Sequence, residues 1–429
     1  MKKSYLIFIA LLLTIVACKS GIFSTDNSGD KNKLELDYTT GFIAPDSVPV
    51  LSESELGISK AVTGFGLKFF GRILEERSGE STLFSPLSLS LSLSMCLSGA
   101  EGDTMNQLSV LMGLEGKDKE EVMSFFKKML GRLSSLDDRI TFNSANAIWY
   151  DSFFPIKSAF IKSIGENFDA SAFKMDFDDN QLLVDAVNKW AVEKTEGTIS
   201  RLLEKSPSKP LLLANALYFK AGWGVKFSDS LEKRDFFGAN GVERVDFFKG
   251  TNDYAYSSLD GYQVLLLPYG QNGETVGFEM AVILPEDGIS IQQTLSWLTG
   301  KGSELLDNMV TSGRKTRVHV EMPCFKIENS LNDIQGIVSV DCPIPFSPES
   351  ADFSGISDER IFISKIAQKA YINVDNKGTE ASAVTEIGLE STSLGEPQPD
   401  PILFRADRPF IFLIRDRGTG NSVFIGVKQ

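Results

Sequence analysis

His319 is the single imidazole in a chain of 429 residues. A Ser/His/Asp or Cys/His nucleophilic centre would have to use it, and no set of histidine ligands for a metal can be assembled. It lies in a β-rich run with no companion ligand spaced around it, which marks it as structural. Hydrolysis by an acid/base pair needs two converging carboxylates, and the scattered acids supply no such pair. The residues with a clearer purpose lie between Gly378 and Leu394. Thr379, Ala381, Ala383, Thr385, Ile387 and Leu389 alternate with Glu380, Ser382, Val384, Glu386, Gly388 and Glu390. One side is small or apolar and the other mostly polar, the period-two pattern of a half-buried strand. It stops at Gly395, because Pro397, Pro399 and Pro401 cannot lie in a central strand. The pattern alone also describes an ordinary edge strand followed by a loop.

Such a strand needs a body to receive it, and the composition provides one. Hydrophobic residues make up 42% and charged residues 23%, enough apolar material for a large core. The 43 basic against 57 acidic residues, net −14, with no basic stripe, argue against nucleic acid as a partner. Apolar residues recur at helical spacing through Val62, Phe65, Phe69, Phe70 and Ile73, Ser85-Pro86 opens a second helix running through Leu97, and a third is predicted over Val184 to Leu203. Short apolar runs at 211–217, 264–267, 279–284, 318–320, 361–363 and 410–414 are bounded by Gly, Pro and Asp and read as strands. Helices and strands mix with no linker and no internal repeat, so a single α+β body is expected.

The N-terminus is a targeting segment. Lys2 and Lys3 precede an apolar run from Tyr5 to Val16, about a dozen residues where a spanning helix needs about 20. The run ends in Ile15-Val16-Ala17-Cys18, which resembles the bacterial lipoprotein box, with Cys18 lipidated after removal of residues 1–17. Lys19 is not the Asp that holds lipoproteins at the inner membrane, so the expected location is the cell envelope, anchored by lipid to the outer membrane. Residues 18–55, rich in Ser, Asp, Asn and Gly, read as a flexible tether, and 56–429 as the folded domain. The remaining cysteines, Cys96, Cys324 and Cys342, make no disulfide framework. A Cys324–Cys342 bridge and two free thiols are both compatible with the count.

Five strings in order, Thr82 to Ser88 (TLFSPLS), Ala214 to Trp223 (ANALYFKAGW), Asp352 to Ile356 (DFSGI), Asn376 to Ala381 (NKGTEA) and Asp407 to Phe410 (DRPF), resemble the serpin family of serine protease inhibitors. The resemblance runs from about Ile58 to Lys428. It implies a serpin fold of about nine helices and three β-sheets, with an exposed reactive-centre loop near the C-terminus. It places the alternating segment in that loop, where a serine protease attacks and the cleaved loop then inserts into the central sheet, trapping the acyl-enzyme. About fifteen residues at about 3.3 Å each make a strand of about 50 Å. Gly378, Thr379, Glu380, Ala381, Ser382, Ala383, Val384 and Thr385 become the loop hinge, small where insertion begins.

By family spacing from Gly378 the scissile bond is Thr392-Ser393, with Leu394 as an alternative; counting back from Phe410 gives a bond near Gln398. Small residues there suit elastase- or subtilisin-like proteases, and Leu394 a chymotrypsin-like one. Serine proteases are thus the expected partners, with papain-like cysteine proteases as a second class. The chain acts as an inhibitor, not an enzyme, and no cofactor or metal is implied. The competing reading is a serpin-fold binding lipoprotein that has lost inhibition.

Ser85, Ser88 and Asn215 match the family's shutter cluster beneath the central sheet, where Gln368 stands in place of the usual histidine and removes a titrating group. Trp223, Cys324 and Asn376 match the breach at the top of the sheet. Cys324 and Asn376 replace the family's lysine and acidic residue together, so no charge is orphaned. Lys117, Lys119, Lys127 and Lys128 share their stretch with Glu115, Glu120 and Glu121, so binding of a heparin-type polysaccharide is not expected, and the protein is expected to be a monomer.

Overall fold

Ser52 shows how this chain starts a helix. Its side chain accepts from the Glu55 backbone while the Glu55 carboxylate accepts from the Ser52 N–H, a reciprocal cap that opens α1 (Glu53–Glu76). Ser85 caps α2 (Pro86–Gly99) in one direction only, its side chain accepting from the Ser88 N–H, with Pro86 in the first turn. The Leu-Ser alternation inside α2 has the period of a strand, yet the capped start holds it helical and it is buried nearly all round. The computed structural model describes residues 35–38, 45, 47–208, 210–270, 277–331, 334–380 and 400–429. Seven more α-helices lie among them: α3 (Gly102–Met112), α4 (Lys119–Ser135), α5 (Ser158–Phe168), α6 (Asn180–Lys194), α7 (Ile291–Trp297), α8 (Ser303–Ser312) and α9 (Ile334–Ser339). None is long and apolar enough to cross a membrane.

The strands form two networks. The first is a seven-stranded sheet in the order β1 (Glu35–Tyr38), β4 (Ala170–Met175), β3 (Thr141–Asp151), β5 (Leu211–Gly222), β13 (Gly378–Thr379), β12 (Ile363–Val374), β11 (Phe325–Leu331). The second follows β14 (Ile402–Arg405), β10 (Thr316–Pro323), β7 (Gly241–Leu259), β8 (Tyr262–Pro268), β9 (Phe278–Pro285), β15 (Phe410–Asp416), β16 (Ser422–Lys428) and β2 (Thr82–Phe84), with β6 (Glu232–Gly238) on β7. Two of the three expected sheets are therefore joined: the 19-residue β7 pairs with β6 and β10 through Tyr254 and with β8 from Ala255 onward.

Some expectations shift. The third helix ends at Lys194, where Glu196 and Gly197 take positive φ, so Leu202 is buried outside it. The strand expected at 361–363 begins only at Ile363. Glu35–Tyr38, inside the segment read as a tether, pairs antiparallel with β4, and α1 already begins at Glu53. Cys96, Cys324 and Cys342 are free thiols, so Cys324 and Cys342 are not bridged. Burial pushes the Cys342 thiol up to about 12 and, with Asp375 and Asp246 nearby, the Cys324 thiol up to about 11.

Two cores flank the seven-stranded sheet. The larger takes in α2 and the apolar faces of β8, β9, β15 and β16. The smaller sits under α6, where Trp190 and Val187 cluster with Trp149, Phe173, Leu212, Ala214 and Ala216. Alternate residues of β5 thus face different cores: Leu213, Leu217, Phe219 and Ala221 one way, Leu212, Ala214 and Ala216 the other.

Candidate functional site: the split in the central sheet

β5 and β12 run parallel and pair directly from Leu211 and Ile363 to Ala216 and Lys369. Higher up they part to admit β13. Gly378 lies opposite Gly222 and Thr379 opposite Ala221 on one side, and Thr379 opposite Val374 on the other. A tight turn brings the chain back: Asp375 Oδ1 accepts from the Lys377 N–H at 2.7 Å and the Gly378 N–H at 3.2 Å, and the Asp375 N–H donates to the Gly378 carbonyl at 3.0 Å. Gly378 has φ 151°, and a Cβ there would stand 2.1 Å from the Ala221 carbonyl oxygen. Only glycine fits that approach.

Thr379 is 1% exposed, and its hydroxyl shares a hydrogen bond of 2.6 Å with the buried Tyr269 hydroxyl. Tyr269 stacks on Trp223 at 4.6 Å between ring centroids. Trp223 in turn holds the turn, donating from Nε1 to the Asp375 carbonyl at 2.8 Å and from its backbone N–H to the Lys377 carbonyl at 3.0 Å. The other breach residues converge here. Asn376 Nδ2 donates to the Ser228 carbonyl at 3.1 Å, and the nearby Asn376 backbone N–H offsets part of the rise that burial imposes on the Cys324 thiol. Trp223, Cys324 and Asn376 thus surround one turn, the point where the loop enters the sheet.

Glu380 is the last residue of the hinge that the structure describes. Its N–H still donates to the Asn373 carbonyl at 2.9 Å, but its φ is 52°. Burial raises the Glu380 carboxyl above the usual carboxylate range, and Glu196 adds to this; hydrogen bonds from Tyr218 and Tyr371 and the charge of Lys220 oppose it. Ala381, Ser382, Ala383, Val384 and Thr385 of the hinge, and Thr392, Ser393 and Leu394, lie outside the described residues, as does Cys18.

Below the split, where β5 and β12 pair directly, Gln368 sits opposite Asn215, and Asn215 opposite Asn146, a polar row across three strands. Gln368 Nε2 donates to the Ser85 carbonyl at 3.1 Å and its Oε1 accepts from the Ser85 N–H at 3.4 Å. Ser85 Oγ donates to the Val423 carbonyl at 2.8 Å and accepts from the Ser88 N–H at 3.1 Å. Asn215 Nδ2 donates to Asn146 Oδ1, and Asn146 Nδ2 to the Phe168 carbonyl at 2.9 Å. The Ser88 hydroxyl and Asn215 Oδ1 have no hydrogen-bond partner among the described residues. Sequence reasoning missed Asn146, Tyr218, Tyr269, Asp375 and Tyr371. Three phenols and one amide in or beside strands, and an Asp just past the end of β12, were the available signal.

The remaining candidates sit elsewhere. His319 Nδ1 is 2.7 Å from Thr251 Oγ1 and Nε2 is 3.5 Å from Glu321 on the other strand network. Lys117, Lys119 and Lys128 are each ion-paired, to Glu121, Glu101 and Glu55. Among the described residues no group of three or more His, Cys, Asp or Glu side chains is placed to hold a metal ion.

The family model Serpin (serine protease inhibitor) matches residues 60–428. Iripin-2 of Ixodes ricinus is 31% identical over 383 residues, 87% of this chain and 94% of its own length. The crystal structure of a thermophilic serpin, tengpin, in the native state superposes with a TM-score of 0.77 at 28% identity, covering 89% of this chain and 96% of that one. Human thyroxine-binding globulin, solved with thyroxine bound, gives the same TM-score at 22% identity over 87% of this chain and 98% of that one, a likeness of fold. By its fold, by the split in its central sheet and by these matches, the chain belongs to the serpin family.

Proposed function

We propose that this protein is a suicide-type inhibitor of serine proteases that works by inserting its cleaved loop into the seven-stranded sheet. The observation that carries the reading is the docked hinge. Gly378 and Thr379 already lie as an antiparallel strand between the parallel β5 and β12, so the loop has begun the strand that cleavage would complete. Below them β5 and β12 pair side by side and would have to separate.

The chemistry belongs to the target. Its serine hydroxyl attacks the carbonyl carbon of Thr392, an ester forms as the Thr392-Ser393 peptide bond breaks, and the new amine of Ser393 leaves with the proton. Insertion then carries the ester-linked protease along the sheet, away from the geometry that water needs to release it. Ser391, Thr392 and Ser393 suit elastase- or subtilisin-like pockets, and Leu394 a chymotrypsin-like one. No Lys or Arg occurs between Gly378 and Phe404, so trypsin-like enzymes should not be trapped. We further infer that Cys18 carries lipid and holds the inhibitor in a bacterial envelope, at the outer membrane.

Incubation with elastase, subtilisin, chymotrypsin and trypsin, followed by denaturing electrophoresis, tests the reading. A covalent complex is expected with one of the first three, releasing a C-terminal peptide that mass spectrometry finds to begin at Ser393. Simple cleavage by every protease without a stable complex would sink inhibition, and a peptide beginning beyond Gly395 would sink the assigned bond.

A further inference from the structure

Tyr269 is held so that its hydroxyl has little freedom to turn away. The residue follows β8, and its N–H donates to the Phe278 carbonyl at 3.0 Å. Its ring stacks on Trp223 at 4.6 Å and meets Phe219 edge-on at 5.2 Å between centroids. Among the described residues the hydroxyl bonds only the Thr379 hydroxyl, at 2.6 Å. Thr379 is as closed in as Tyr269, lying between Ala221 of β5 and Val374 of β12. Each hydroxyl is thus the other's partner in a place shut off from water. Separating such a pair without opening the site to water costs more than the bond itself contributes, because a buried hydroxyl is left unsatisfied.

The sequence around Thr379 makes the pair exclusive. A slip of the hinge by one residue would bring Gly378 or Glu380 to Tyr269, and a slip by two Lys377 or Ala381. Glycine and alanine leave the phenol without a partner, and Glu or Lys would put a charge among buried aromatic rings. We propose that Tyr269 keys the register of insertion: its fixed hydroxyl accepts Thr379 and no neighbouring residue, so the loop begins its strand at one place and stays docked there. This rests on the insertion reading above and names Tyr269 as a positioning residue for it. The key stands on neither strand that flanks the hinge. It follows β8 of the other strand network and is joined to β5 through an antiparallel bridge to Trp223.

Matched hydroxyls have a signature that a merely supporting ring lacks. Tyr269→Phe keeps the stack on Trp223 and leaves the Thr379 hydroxyl without a partner whenever the hinge is docked. Thr379→Val keeps the shape of the hinge and leaves the phenol without one, whereas undocking lets water reach it. Each single change therefore favours the undocked hinge. Together they leave no hydroxyl behind, since apolar groups of the same shape replace both partners, and docking should return. Thr379→Ser retains the hydroxyl and should keep the hinge in place.

Amide hydrogen exchange over residues 375–380 of the uncleaved full chain, followed by mass spectrometry, reads docking without a protease. The docked hinge protects the Glu380 N–H on the Asn373 carbonyl and the ladder positions of Gly378 and Thr379. Tyr269→Phe and Thr379→Val should each exchange there about tenfold faster than wild type, with the direct β5–β12 pairing unchanged. Thr379→Ser and the double variant should stay within about twofold of wild type. The key is overturned if either of the two hydroxyl-free single variants exchanges as slowly as wild type, or if the double variant exchanges as fast as they do. The same two single variants should also consume more inhibitor per mole of target protease trapped, and the double variant should not. Exchange in the expected order with no protease trapped by wild type would sink the inhibitor reading and leave the key standing.

Discussion

Asn376 occupies a position whose chemistry depends on its neighbours more than on itself. Its amide donates to the Ser228 carbonyl, while Cys324 beside it is flanked by Asp375 and Asp246. In Asn376→Glu the donor is lost and a third carboxylate enters a half-exposed site already bearing two. The uncleaved protein should lose about 1 kcal/mol, measured as a lower unfolding midpoint, and unchanged unfolding would mean that the new carboxylate simply turns into water. The sequence showed Asn376 and Cys324 as a matched pair of neutral residues, and the structure puts them in contact. It could not show Tyr269, which meets Thr379 across 110 positions of chain. Such a contact arises from topology and leaves no local pattern. The same holds for Tyr218, Tyr371 and Asn146, which are ordinary strand residues until the strands are ordered side by side.

Elements with chemically marked ends were legible, and those ended by tertiary contacts were not. The Ser85-Pro86 start of α2 and the helical spacing of α1 were read directly. The end of α6 was overrun because Leu202 continues the apolar spacing after the backbone has turned at Glu196 and Gly197. β14 was missed, as it is only four residues long and follows the prolines. The alternation from Thr379 onward marks the segment on which the proposed trapping depends, and its first residue already has the burial that the pattern asks for. Thr379 is closed in beside Tyr269, so Thr379→Arg cannot keep the hinge docked without burying an unpaired charge. Ala383→Pro would leave the start of the hinge alone and remove a donor from the strand that forms later. Both variants should be cleaved by the target yet trap it poorly, so the moles of inhibitor consumed per mole of protease rise several-fold. A variant that inhibits as efficiently as wild type would mean that trapping does not use this strand.

At the scale of the whole molecule the proposal is of an unfinished sheet held on a lipid leash. The leash is tested by Cys18→Ala, which should move the protein from the membrane to the soluble fraction, whereas membrane association that persists would sink the lipid anchor. The unfinished sheet makes a stronger demand. β5 and β12 hold each other through the Ile363–Lys369 and Leu211–Ala216 pairing, with the polar row of Asn146, Asn215 and Gln368 at its end. A complete inserted strand replaces this one ladder with two. At about 0.5–1.5 kcal/mol net for each added hydrogen bond, and with the inward Ala, Ile and Leu side chains removed from water, the gain is on the order of 10 kcal/mol. The uncleaved chain cannot collect it while the loop is tethered at both ends, by Thr379 in one sheet and by β14 on β10 in the other. Cutting the loop anywhere between Glu386 and Gly395 with a non-target protease should therefore raise the unfolding midpoint sharply. A cleaved form that melts where the intact form does would show that the split sheet stores no work, and the trapping mechanism would have nothing to drive it.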